Sequence, residues 1–210
     1  MEEVFLEDWG FCTGEHVQPL PQIPVADGGA VCRAIADGPN EDLDKLATIL
    51  LGGIVAARQE ILIMTPYFLP SREMISALQV AALRGVKVHI ILPARNNLPF
   101  VHWATRNMLW QLLRHNIRIY YQPPPFAHTK LLVIDSRYGL VGSANIDSRS
   151  LRLNFEFAVE ICDERFGTTL AAYFEEIRKQ SQETSLAEMD KRPLPVRIRD
   201  ALAWLFSPYL

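Results

Sequence analysis

The sequence predicts an α/β fold: a mixed, mostly parallel sheet with helices on both faces. Two observations carry this. Between residues 43 and 121, short apolar runs of strand length alternate with segments of helical period, the rhythm of βαβ units. After Pro123-Pro124-Pro125 the rhythm changes to closely spaced short strands, then a helix. A chain of 210 residues, 49% hydrophobic and 21% charged, suits one sizeable domain with appendages.

Residues 1–28 show little periodicity and hold Pro19, Pro21 and Pro24, so they read as a linker or irregular arm. Gly29 to Ile35 reads as a short strand, followed by the turn-like Asp37-Gly38-Pro39-Asn40. Leu43, Leu46, Leu50 and Ile54 recur at helical spacing. Glu60 to Thr65 reads as a buried strand stopped at Pro66. Ser71 can cap a helix through Met74, Ile75, Leu78 and Ala82, with Gly85 as its stop. Strands follow at 86–92 and 117–121, with a helix over 100–114 between them. Lys130 to Asp135 and Tyr138 to Val141 read as strands joined by a tight turn, and 155–162 as a further strand. A helix is expected over 166–180, a polar stretch over 181–192, and a short amphipathic helix on Ile198, Ala201, Leu202 and Leu205 ended by Ser207-Pro208. The domain plan is therefore an arm (1–28), a main domain (29–183) and a tail (184–210).

Charge is unevenly placed. The net charge is −3, but residues 1–45 carry ten acids against Arg33 and Lys45, leaving the remainder at +5. A modestly positive body fits a phosphate-bearing substrate, while no global basic field calls for nucleic acid, which is not expected as a partner. Cys12, Cys32 and Cys162 form no metal-binding spacing, so reduced thiols in a cytoplasmic setting and no metal are expected. The longest apolar run, Leu46 to Ala57, is too short to span a bilayer.

The chemistry concentrates in Phe126-Ala127-His128-Thr129-Lys130-Leu131-Leu132-Val133-Ile134-Asp135. On a strand, residues two apart share a face, so His128 and Lys130 should project together. An imidazole beside an ammonium makes sense with a phosphate between them: the lysine neutralises oxygen charge and the imidazole attacks phosphorus. Asp135 falls at the strand end and is suited to support. Ser143 and Asn145 alternate just beyond Gly142 and offer donors to phosphate oxygens. Glu156, on an otherwise apolar strand, can hold an imidazole in its reactive tautomer or face solvent. His16, His89, His102 and His115 read as ordinary core or surface positions.

His128-x-Lys130-x-x-x-x-Asp135 followed by Gly142-Ser143-x-Asn145 resembles the HKD motif of the phospholipase D superfamily. Thr65-Pro66-Tyr67-Phe68-Leu69-Pro70, Ala81 to Val88, Asn145 to Ser150, Leu153-Asn154-Phe155-Glu156 and Phe206 to Leu210 are similar to segments of bacterial cardiolipin synthases, most of all their C-terminal catalytic half. The resemblance implies a phospholipase D-like domain in which two HKD motifs meet. One histidine forms a phosphohistidine and the other protonates the leaving alcohol, with no metal or cofactor. It implies His128 and Lys130 as catalytic, Asp135 as supporting, Ser143 and Asn145 as phosphate-binding, and Glu156 as the orienter of His128. Which histidine attacks stays open. The implied substrate is phosphatidylglycerol or another anionic phospholipid, at a membrane surface. For a parent protein that surface is the cytoplasmic face of the bacterial inner membrane, and the chain itself is expected to be soluble. Only one HKD motif is present, so a second HKD domain in a longer parent, or a dimer mate, is the expected partner. Glu7 to Glu15 resembles the tail of a preceding HKD domain, which suggests a C-terminal fragment. The other readings are a single-motif dimeric phosphodiesterase and a non-catalytic membrane-binding half.

Overall fold

A computed structural model of the chain describes residues 2–21, 29–39 and 44–207. Leu43, Asn40 and the segment 208–210, which entered the expectations above, lie outside them. The elements run α1 (Glu2–Thr13), β1 (Val31–Asp37), α2 (Lys45–Ala56), β2 (Glu60–Met64), α3 (Arg72–Leu83), β3 (Lys87–Pro93), α4 (Pro99–Met108), α5 (Trp110–Leu113), β4 (Arg118–Gln122), β5 (Leu131–Ile134), β6 (Tyr138–Gly142), α6 (Ser148–Arg152), β7 (Glu156–Cys162), α7 (Glu164–Gln180), β8 (Gln182–Thr184), α8 (Leu186–Asp190) and α9 (Leu194–Leu205).

The strands form one sheet in the order β1-β7-β6-β5-β2-β3-β4-β8. Helices cover both faces, as expected. Alternation along β2 assigns the sides: Ile61 and Ile63 join the core under α2, α3 and α5, while Leu62 and Met64 join Phe174 of α7 opposite. The expectation of a mostly parallel sheet is corrected. Only β2–β3 and β3–β4 are parallel, and the other five pairings are antiparallel. The reason is connection length. A parallel pair needs a crossover, which α3, α4 and α5 supply, whereas β5 and β6 are joined too closely for anything but a hairpin. Asp135 and Ser136 are its two central residues, and both have φ of 52°. Positive φ at both positions is what a turn matching the strand twist requires.

Three further expectations change. The amino-terminal arm contains α1, which buries no residue. It lacks an apolar face, so periodicity could not reveal it; Phe5 and Trp9, one turn apart, stack at 6.0 Å, and Gly14 with φ of 74° follows its end. The helix expected over 100–114 is interrupted at Leu109. The polar stretch 181–192 supplies the edge strand β8 and α8, the latter opened by a capping box between Ser185 and Glu188. Ser71 does cap α3, accepting from Met74 N, and Gly85 follows with φ of 89°.

The carboxy-terminal helix docks in an unusual sense. α9 lies along α4 and turns Asp200 and Ala203 inward. Asp200 is fully buried and accepts from Arg192 at 2.6 Å and from Arg199 at 2.6 and 3.0 Å, with Arg106 Nε 3.7 Å away. The apolar residues that predicted the helix point outward.

Candidate active site

β5 and β2 are antiparallel, so the N-terminal end of β5 lies beside the C-terminal end of β2. His128 and Lys130 sit just before β5, and the regular strand begins at Leu131 rather than at Lys130. The two side chains nonetheless converge. Lys130 Nζ is 3.0 Å from His128 Nδ1 and 3.4 Å from Nε2, and donates to His128 O at 3.1 Å. Burial and the neighbouring ammonium both push the His128 imidazole below its ordinary range. Burial likewise pulls Lys130 below its ordinary value, opposed by the negative charge of Glu156 and Asp147. Among the described residues no carboxylate comes within ion-pair distance of Lys130.

The antiparallel registers carry Ser143, Asn145 and Glu156 to this same end of the sheet. Ser143 N donates to Phe157 O at 2.9 Å, and Phe157 N donates to Ser143 Oγ at 2.9 Å. This tight pairing requires Gly142: a Cβ there would lie 2.5 Å from Phe157 O and 2.7 Å from Ala158 Cα. Glu156 accepts from Ser143 Oγ and, at 3.1 Å, from Asn154 Nδ2. Its hydrogen bonds thus go to Ser143 and Asn154 rather than to His128. Asn145 Nδ2 donates to Ser150 Oγ at 3.0 Å, while its buried Oδ1 has no partner among the described residues.

Asp135 stands apart. It caps the far end of β5, roughly 17 Å from Lys130 at strand rise. Its carboxylate accepts from Gln59 N at 2.7 Å, Glu60 N at 2.8 Å and Arg58 N at 2.9 Å. Burial would raise this carboxyl, but the three backbone donors outweigh it and hold the group below its ordinary range. Asp135 thereby ties the start of β2 to the end of β5 and does not reach His128 or Lys130.

Residues with no assigned role also shape the site. The ring of Tyr67 meets His128 edge-on at 6.0 Å, and its hydroxyl donates to Asn97 Oδ1 at 2.8 Å. Thr65 Oγ1 donates to Tyr67 O and Asn96 Nδ2 to Pro66 O, which fixes the loop that carries the tyrosine. Leu69 N donates to Ile146 O at 2.7 Å, tying that loop to the segment after Asn145. Only the likeness of 65–70 to a family segment pointed there, and no spacing rule relates Tyr67 to His128. Asp147, buried, caps α6 through Ser150 N, and burial raises its carboxyl.

Fold and site together define a phospholipase D-like domain. The family described as "Cardiolipin synthase, PLD-like domain" matches residues 50–178, more than half of the chain, and the chain belongs to it. It is 38% identical to cardiolipin synthase A of Serratia proteamaculans over 212 residues, which is 99% of this chain and 44% of that protein. It is 35% identical to cardiolipin synthase A of Proteus mirabilis, with the same coverage. The chain therefore spans less than half the length of these relatives. Among solved structures, phosphatidylserine synthase of Haemophilus influenzae superposes with a TM-score of 0.69 at 15% identity, covering 99% of this chain and 53% of that one. The phospholipase D family member Nuc of Salmonella typhimurium gives 0.63 at 20% identity, covering 74% of this chain and 99% of that one. At these identities the likeness is one of fold.

Proposed function

We propose that this domain supplies one half of a phosphatidyl-transfer site that makes cardiolipin and glycerol from two molecules of phosphatidylglycerol. The observation that carries the reading is Lys130 Nζ at 3.0 Å from His128 Nδ1 with no carboxylate paired to it among the described residues. A cation and a neutral imidazole side by side form a receptor for a phosphodiester: the ammonium offsets equatorial oxygen charge while the imidazole acts on phosphorus or on the leaving oxygen.

The reaction needs two imidazoles, of which His128 is one. The attacking nitrogen forms a bond to phosphorus as the bond to the departing glycerol breaks, and the other imidazole gives that glycerol its proton. The acceptor hydroxyl then passes its proton to the second imidazole and displaces the phosphohistidine nitrogen. Ser143 and Asn145 would hold the phosphoryl oxygens. Glu156, held by Ser143 and Asn154, supports the same end of the sheet electrostatically.

A second reading is a dimer of single-motif chains that cleaves phosphodiesters. The near-complete coverage of Nuc favours it, since a chain of about one such domain carries the fold there. A paired assay separates the two. This chain, held monomeric, should make no cardiolipin from phosphatidylglycerol. A chimera in which it replaces the matching 44% of the Serratia relative should make it. Cardiolipin synthesis by monomeric chain overturns the two-imidazole reading, and activity that rises with dimerisation favours the second.

A further inference from the structure

α9 presents Leu194, Ile198, Leu202 and Leu205 at spacings of four, four and three, one continuous stripe of a helix. Their exposures are 67%, 51%, 56% and 64%. The opposite side of the helix is the one anchored to α4. Phe206 extends the stripe and meets the ring of Phe100 at 5.8 Å, and Phe100, in the first turn of α4, follows the exposed Leu98. The loop before α4 is the one whose Asn97 accepts from Tyr67, and Tyr67 abuts His128. Exposed apolar side chains thus run from the carboxy-terminal helix to Leu98, next to the loop residue Asn97 that holds Tyr67 beside His128.

The sequence around this surface is rich in cations. Residues 74–134 contain seven lysines and arginines and no aspartate or glutamate. Arg95 beside Leu98, and Lys191 and Arg197 beside the stripe, are exposed. The one acid of α9, Asp200, is buried among arginines. Exposed acids are present on α8: Glu188 is held by the cap at Ser185, and Asp190 lines a cleft shared with Arg197. Twelve residues are too few to cross a bilayer, but an apolar face flanked by cations is the composition of a helix lying in its surface.

We propose that this stripe, with Phe206, Phe100 and Leu98, docks on an anionic lipid bilayer and holds the mouth of the site against it. The inference rests on the phosphatidyl-transfer reading for its purpose: a substrate anchored by acyl chains can reach His128 from the membrane along this face without leaving it entirely.

Flotation of the purified chain with vesicles tests it, using phosphatidylcholine alone and phosphatidylcholine mixed with phosphatidylglycerol. The wild type should float with the anionic vesicles and be released by salt. Ile198→Ser/Leu202→Ser should cut partitioning at least about ten-fold, with unchanged melting temperature and unchanged response of the His128 resonance to inorganic phosphate. Arg197→Glu should weaken binding to anionic vesicles only. If the double variant misfolds, Leu205→Ser, in the last turn of the helix, must show the same direction. Wild type that does not float overturns the proposal, as does a serine variant that floats equally well. So does a wild-type dimer that this substitution dissolves, because the stripe then covers a second copy. Failure of docking stays distinct from failure of the transfer reading: a chimera that turns over water-soluble short-chain phosphatidylglycerol keeps its chemistry whether or not the stripe binds vesicles.

Discussion

At the scale of single residues, the site depends on an ammonium and an imidazole sharing one field. Burial and Lys130 both disfavour the imidazolium, so His128 should titrate below the ordinary value of about 6.5. Lys130→Ala removes the second of these causes. Its His128 midpoint, followed by NMR, should move up toward the ordinary value, and an unchanged midpoint would mean that the two groups do not interact. Asp135 makes a different prediction. Because its carboxyl is held below the ordinary range, it contributes stability above the unfolded-state value of about 3.9, and that contribution is lost as pH falls through the lower folded value. Asp135→Ala should cost roughly 1–3 kcal/mol in urea unfolding, from the backbone donors left without their acceptor, and Asp135→Asn less. That Ser143, Asn145 and Glu156 lie at the same end of the sheet as His128 and Lys130 follows from antiparallel register, which turns spacing into position, whereas His128 and Lys130 converge although neither lies in β5. Tyr67 was not legible in the sequence, because its contact with His128 crosses from β2 to β5, and no sequence offset encodes that. The Glu156 partners were not legible either: alternation places a carboxylate at the site but does not choose between Ser143 and an imidazole.

At the scale of elements, two contacts carry more than their size suggests. The β6–β7 pairing closes over Gly142, where there is no room for a side chain. Gly142→Ala should destabilise by roughly 1–3 kcal/mol and displace Ser143, lowering turnover of the chimera beyond what the melting temperature explains. The docking of α9 on α4 depends on Asp200. Asp200→Ala leaves the arginines around it unbalanced and should cost roughly 3–5 kcal/mol, read as an early, separate loss of helix α9 in thermal unfolding or as lower global stability. An Asp200→Ala protein that melts with the wild type would show the cluster to be energetically idle. Strand and helix positions between 60 and 92 were readable from period and caps. α1, α6, β8 and α8 were not, since short or unburied elements leave no apolar periodicity, and the interruption at Leu109 lies within an unbroken helical pattern.

At the scale of the whole molecule, the alternating rhythm correctly implied layers of helix on both faces of a sheet. It overstated the parallel share because the β5–β6 hairpin and the antiparallel additions of β1, β7 and β8 depend on loop length and register, which periodicity does not report. Among the described residues no helix is long and apolar enough to cross a membrane. The strand order gathers His128, Lys130, Ser143, Asn145 and Glu156 at one end of the sheet, and the proposed transfer uses two imidazoles. The central claim is that His128 is one of these two. The most direct measurement is cardiolipin formation from phosphatidylglycerol by the Serratia chimera carrying this chain, with and without His128→Ala. Loss of a reacting acid or nucleophile should lower turnover by at least about 100-fold, with the melting temperature unchanged. A folded His128→Ala chimera that makes cardiolipin at the unsubstituted rate would contradict the account.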